Sequence, residues 1–175
     1  MSLVFDLPFA LPRSGVDAQS FMNAMAGLPA PVSVITTLAA DGRPVGATLS
    51  AVSSLSLDPP LFLACFDHRS ETLAALRRHR RYLVHILAGD QPHLAKAFSS
   101  KARNKFDAVE WRATEEGLPL LEGCCTVLRC RLFNMLSGGD HAIVMGEVEH
   151  VERLEETEPM IYVNRRMTKP ERKDA

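Results

Sequence analysis

Asp41-Gly42-Arg43-Pro44-Val45-Gly46-Ala47-Thr48-Leu49-Ser50-Ala51-Val52-Ser53-Ser54-Leu55-Ser56 is the stretch on which the fold turns. Its Asp-Gly pair signals a tight hairpin, because glycine takes the positive φ that such turns need. Just before it, Val32-Ser33-Val34-Ile35-Thr36-Thr37-Leu38 is rich in β-branched residues and partly alternates, which predicts a strand. Pro44 to Ala51 predicts the returning strand, and a serine-rich connection then runs to Asp58-Pro59-Pro60. The chain therefore opens with an antiparallel hairpin. Five hydroxyl residues (Thr48, Ser50, Ser53, Ser54 and Ser56) stand where its second strand gives way to a loop.

Outward from this hairpin, the pattern continues in β style with helices between. Ser20 to Ala26 predicts a short helix capped by Ser20 or Asp17, with Phe21, Met25 and Leu28 at helical spacing. Leu61-Phe62-Leu63-Ala64-Cys65-Phe66 has the length of a buried strand. A helix capped by Ser70 follows, with Arg77 and Arg78 at its C-terminal end. Tyr82 to Leu87 is a strand, Gln91 to Ser99 a helix, and Trp111 to Leu121 a loop-rich stretch with room for a short strand. Cys124 to Leu136 alternates apolar and polar residues, turns at Ser137-Gly138-Gly139-Asp140, and pairs with His141 to Val151. Connections this short favour antiparallel neighbours, since parallel strands need longer crossovers. The expected architecture is mainly β, a barrel with helices on its outside. Three segments are expected: an N-terminal arm over 1–19, one domain over 20–165, and a charged tail over 166–175.

The 175 residues are 46% hydrophobic and 23% charged, the balance of one globular domain. Twenty basic against 21 acidic side chains give no electrostatic case for nucleic acid or an anionic membrane. No apolar run reaches the ~18–20 residues that span a bilayer. The N-terminus lacks the basic region of a signal peptide, and the four cysteines lack zinc spacing. Reduced thiols in a cytoplasmic protein without a bound metal are expected. No glycine-rich dinucleotide motif, phosphate-binding loop or nucleophile elbow is present.

Three features could carry chemistry, each beside a plainer account. The Gly46–Ser56 hydroxyls either satisfy turn amides of a half-buried strand or form a polar cradle for a phosphate or heterocycle. Asp67-His68-Arg69-Ser70-Glu71-Thr72 either caps a helix or offers its N-terminus to an anion. Gly139-Asp140-His141 is a turn in which only the histidine is unexpected. The basic run Arg77, Arg78, Arg80 and Arg81 reads as a solvated helix end, with a nucleotide 2′-phosphate as the other possibility.

Taken together these segments resemble the flavin reductase family, the small reductase components of two-component monooxygenases. The Gly46–Ser56 block with Pro59-Pro60, Ser70-Glu71-Thr72, Lys105-Phe106, and Gly139-Asp140-His141 with Gly146-Glu147-Val148 carry the likeness in the family's order, from about residue 20 to 165. The resemblance implies an FMN-binding split barrel of Greek-key type. It implies that Thr48, Leu49, Ser50 and Ala51 line the flavin ring and ribityl chain, with Ser53 and Ser54 near the ring edge or phosphate. It assigns Arg69, Ser70 and Thr72 to the phosphate, Lys105 and Phe106 to a loop approaching the flavin, and His141 to the nicotinamide or flavin edge. The implied activity is hydride transfer from NADH or NADPH to FMN or FAD. A homodimer and a separate flavin-dependent monooxygenase partner are implied with it. A flavin carrier or sensor of the same fold, without nicotinamide turnover, is the alternative, and a non-flavin interaction domain is a third.

Overall fold

The computed structural model describes residues 15–154 and 156–171. Residues 1–14 of the expected N-terminal arm and the last four residues of the expected tail lie outside them.

Helix α1 (Ala18–Ala26) starts at Asp17, whose carboxylate accepts from the Ser20 amide at 2.9 Å. Of the two expected caps, Asp17 is the one used. Strands β1 (Ala30–Pro31) and β2 (Ser33–Leu38) follow, then the Asp41-Gly42 turn with Gly42 at φ 81°, then β3 (Pro44–Leu49). The next strand, β4 (Val52–Leu57), stands where a serine-rich connection was expected. It pairs on one side only, with β5 (Pro60–Asp67), and is largely exposed, so no buried alternation marks it. Helix α2 (Glu71–His79) is capped by the Ser70 hydroxyl, which accepts from Leu73 N at 3.3 Å. Then come β6 (Arg81–Ile86) and α3 (Pro92–Ser99), a 3-10 turn over Lys105–Ala108, and the small ladder of β7 (Trp111–Ala113) with β8 (Pro119–Leu121). The long hairpin of β9 (Thr126–Gly138) and β10 (His141–Arg153) turns through Gly139 at φ 66°. Short strands β11 (Ile161–Val163) and β12 (Arg166–Thr168) add to β1 at the periphery.

Seven strands form the main sheet in the order β3-β2-β6-β9-β10-β5-β4, every neighbour antiparallel. β6, β9 and β10 are successive neighbours, and β5, joined to β6 through α2, lies beside β10. That is a Greek key. The outermost strands, β3 and β4, are linked by Ser50 and Ala51 alone. A chain covers at most ~3.6 Å per residue, so Leu49 and Val52 stand within ~11 Å of each other. A flat seven-stranded sheet would hold its edges ~29 Å apart at ~4.8 Å per strand. The sheet is therefore rolled into a barrel, and the two-residue link fastens its seam.

Two large apolar clusters, with a small third of Leu83, Leu118 and Leu120, fill and clothe this barrel. Ile35, Phe66, Tyr82, Val84 and Val144 pack inside it, where Leu73 and Leu76 of α2 join them. Val34, Leu87, Leu94, Phe98, Phe106 and Leu121 form the second cluster, under α3 and the loop after it. The second cluster leaves the C-terminal end of α3 over β3, and there a polar recess opens.

Candidate functional site

A cavity of about 560 Å³ lies between β3, the start of α2 and the segment from Phe98 to Phe106. β3 supplies one wall. Gly46 shapes it through space, since a β-carbon there would stand 2.8 Å from two ring carbons of Phe98. The Phe98 ring thus lies directly on the strand, and Phe106 meets it edge to face at 4.9 Å. Lys105 locks the loop to the strand: its Nζ donates to Gly46 O at 2.9 Å and to Phe98 O at 3.1 Å. Burial lowers the Lys105 pKa, and the Glu71 charge opposes that shift. Thr48 fastens α3 to the same strand, its hydroxyl donating to Ala95 O at 2.8 Å.

Opposite this wall is the start of α2. Arg69 folds back on Asp67 through three donors, at 2.8 Å from its amide, 3.0 Å from Nε and 2.6 Å from Nη2. Those bonds hold the Asp67 carboxyl well below the usual range and match most of the Arg69 charge. Arg43 reaches across to Glu71 at 2.7 Å, tying the hairpin to α2, and its pKa is raised by that carboxylate. Lys101 and Arg103 make no ion pair among the described residues, so theirs is the unmatched positive charge of the rim. The first amides of α2 add to it, because a helix start leaves N–H groups without carbonyl partners.

Of the residues singled out from sequence, Thr48, Leu49, Arg69, Ser70, Thr72, Lys105 and Phe106 line this one cavity. They come from chain segments up to 58 positions apart, between Thr48 and Phe106. Ser50, Ala51, Ser53, Ser54 and His141 are not among its lining. Ser50 and Ala51 form the seam link next to the wall, and Ser53 and Ser54 lie along exposed β4. His141 is paired across the ladder with Asp67, a lining residue, so it stands just beyond the rim. Its Nδ1 is 2.6 Å from Asp140 Oδ1. The plainer accounts of two hydroxyls also hold: Thr48 satisfies a carbonyl and Ser70 caps its helix. Sequence reasoning missed Phe98, Ser99, Ser100, Lys101 and Arg103, which the end of α3 brings to β3.

The donor set fits a flavin. A recess of this size suits a cofactor, Leu49, Phe66 and Phe98 offer apolar walls to a ring system, and cations with helix amides stand at one side for a phosphate. The four cysteines are free, and burial pushes the Cys124 and Cys130 thiols up to about 12, so neither is an activated nucleophile. No group of residues able to hold a metal ion occurs among those described, and no helix among them is long and apolar enough to cross a membrane.

Comparison with known proteins agrees with this chemistry. The profile of the flavin reductase like domain matches residues 25–171. The NADH-dependent flavin reductase of Kitasatospora aureofaciens is 35% identical over 162 residues, 91% of this chain and 85% of that protein. The reductase subunit HsaB of a flavin-dependent monooxygenase from Rhodococcus jostii is 31% identical over 87% of this chain and 78% of its own. Among solved structures, the NADH:FAD oxidoreductase SgcE6 of Streptomyces globisporus superposes with a TM-score of 0.84 at 28% identity, covering 94% of this chain and all (100%) of that one.

Proposed function

The chain belongs to the flavin reductase-like family, and on that footing we propose that it passes hydride from NADH or NADPH to FMN or FAD and hands the reduced flavin to a separate flavin-dependent monooxygenase. The observation that carries this is the meeting of an apolar wall on β3 with unmatched cations and a helix start, in one recess of flavin size.

When both are bound, nicotinamide and flavin supply the hydride chemistry themselves. The residues bind, orient and exclude water. Thr48 and Leu49 hold the ring and ribityl chain against β3, with Ser50 and Ala51 continuing that wall through the seam. Arg69, Ser70 and Thr72, with Lys101 and Arg103, take the phosphate end; Ser53 and Ser54 serve the ring edge or the phosphate. Lys105 keeps the loop and Phe106 closed on the strand. His141 positions the nicotinamide from the rim. No nucleophile or carboxylate pair is needed for such a transfer.

The assembly fitting this reading is a homodimer in the cytoplasm. Helix α1 buries none of its residues and exposes Phe21, Met22 and Met25, with Leu28 exposed just after it, an apolar face that a second copy covers. The free, mostly buried thiols suit a reducing compartment. Light scattering of the purified chain distinguishes two copies from one.

Anaerobic stopped-flow absorbance in the flavin band tests the activity. Protein-dependent bleaching on mixing with NADH or NADPH is expected. Bound flavin that stays oxidised with both would replace reduction by carriage, and no flavin binding would remove the site.

A further inference from the structure

A second recess, about 660 Å³, adjoins the flavin cavity and shares Arg43, Pro44, Arg103 and Phe106 with it. Beyond that common wall it is lined by Asp41, Asn104, Asp107 and Trp111. We propose that this recess is the adenosine subsite of the flavin site, so that FAD is the flavin the chain prefers; the inference rests on the reductase reading above.

The division of chemistry between the two recesses is the reason. Trp111 is the chain's only tryptophan, and it stays 38% exposed although its ring packs edge to face on Phe106 at 5.5 Å. An exposed indole braced by a buried aromatic ring is a stacking platform for a base. The arginines stand in the wall common to both recesses, where a pyrophosphate passing from one to the other would lie. They are coupled there, since Arg43 Nη1 donates to Arg103 O at 3.5 Å. Arg103 has no carboxylate partner among the described residues and is left to meet the phosphates.

Past the arginines the polarity changes. Asp107 and Asn104 engage no other side chain among the described residues, and Asp41 accepts from the Arg43 amide at 3.1 Å and lies 3.8 Å from the Arg43 guanidinium. Carboxylate and amide oxygens accept from ribose hydroxyls and from the adenine amino group. Asp107, which has no cation partner among the described residues, repels a further phosphate, so the recess suits an adenosine and disfavours one carrying a 2′-phosphate. FMN ends at its single phosphate and would leave all of these groups in water.

The test is equilibrium binding of FAD and FMN to the purified chain, wild type and Trp111→Leu, by calorimetry. FAD is expected to bind at least about fivefold tighter than FMN, the smaller end of what one base stack contributes. Trp111→Leu should remove that excess and shift the FMN dissociation constant less than about twofold. Because the indole also packs on Phe106, a second measurement needs no variant. AMP does not absorb in the indole emission band, so its binding to the flavin-free wild type should change Trp111 fluorescence. Equal affinities for FAD and FMN in the wild type, or an emission indifferent to millimolar AMP, would overturn the assignment while FMN binding still upholds the reductase reading. A Trp111→Leu protein with unchanged FAD affinity but a raised KM for NADH, measured with FMN as acceptor, would give the recess to the nicotinamide dinucleotide instead. Loss of all flavin binding in the wild type would defeat the reductase reading itself.

Discussion

Gly46 and Gly146 answer the same steric problem in two regions of the molecule, with opposite results. A β-carbon at Gly46 would stand 2.8 Å from the Phe98 ring and 3.2 Å from Ile35 O; one at Gly146 would overlap the Tyr82 hydroxyl outright. Neither glycine has a positive φ, so each is needed for space and not for conformation. At Gly146 the aromatic side chain is swallowed: Tyr82 is fully buried among Phe62, Cys130 and Val144, and the barrel interior closes. At Gly46 the ring covers only one face of the strand, while the Gly46 carbonyl takes Lys105 and the far side remains open as the cavity wall. Close approach of an aromatic ring thus completes a core in one place and builds a binding wall in the other.

Substituting the core glycine gives the largest effect. Gly146→Ala has no flexible neighbour to displace, since a ring carbon of Tyr82 also lies 2.7 Å from the added carbon. Overpacking of this kind costs ~1–3 kcal/mol, and this site belongs at the upper limit, about 3 kcal/mol. For a chain of 175 residues that lowers Tm by about 6–12 °C. Tyr82→Phe in the Gly146→Ala background should recover part of the loss. No bond of ordinary geometry reaches the Tyr82 hydroxyl, although the Cys130 thiol lies beside it. Scanning calorimetry of the two variants decides; a Gly146→Ala protein that melts with the wild type would end the contrast between the glycines.

The next effect separates core from site by pH. His85 on β6 is wholly buried, with Nδ1 at 3.0 Å from Val34 O and Nε2 accepting from the Leu121 amide at 3.1 Å. Nε2 must therefore be unprotonated and Nδ1 must carry the hydrogen. Burial pushes the His85 pKa down to about 4 from 6.5. As pH falls through that window the unfolded chain takes up a proton that the folded chain refuses, so stability declines with falling pH. The full difference is worth about 3 kcal/mol at most, and it is intact above pH ~6.5. Denaturant midpoints from about pH 7 to 4 should show this slope, and His85→Gln should flatten it. The cavity wall should not share the slope, because no histidine stands among its lining residues.

Gly46→Ala is the corresponding change at the site, and its cost divides differently. The added carbon presses on Phe98 and so on both carbonyls that hold Lys105. A stability loss of about 1–2 kcal/mol is expected, with flavin affinity falling about tenfold as the wall shifts. Fluorescence titration of FMN reads the second quantity. A stability loss with unchanged FMN affinity would mean that the Phe98 wall is core and not site.

What sequence revealed follows the same line between local and non-local structure. The hairpin at Asp41-Gly42, the Ser70 cap and the turn at Gly139 are fixed by residues within a few positions, and all were legible. Thr48, Arg69, Ser70 and Thr72 stood out by their own chemistry. Leu49, Lys105 and Phe106, and the joining of all seven in one site, came through likeness to a family, since nothing in composition joins Thr48 to Phe106. β4 escaped because an edge strand with exposed residues shows no alternation of burial. Lys101 and Arg103 looked like an ordinary polar loop. Only the packing of Phe98 on Gly46 carries them to the rim, and that contact leaves no period in the sequence.

His141 gives the smallest effect and tests where the site ends. It lies outside the cavity lining but opposite Asp67 in the β5–β10 ladder, and Asp140 engages Nδ1, which leaves Nε2 available. A single hydrogen bond of this kind contributes ~0.5–1.5 kcal/mol. His141→Ala should therefore raise the KM for the nicotinamide about two- to tenfold, with little change in flavin affinity. Asp140→Ala should act in the same direction and more weakly, because it frees the ring without removing it. Steady-state kinetics with varied NADH and saturating flavin separates these effects. An unchanged KM in His141→Ala would place the rim at Asp67 and leave the hairpin tip to the barrel, whereas a loss confined to flavin affinity would extend the flavin wall across β10 to His141.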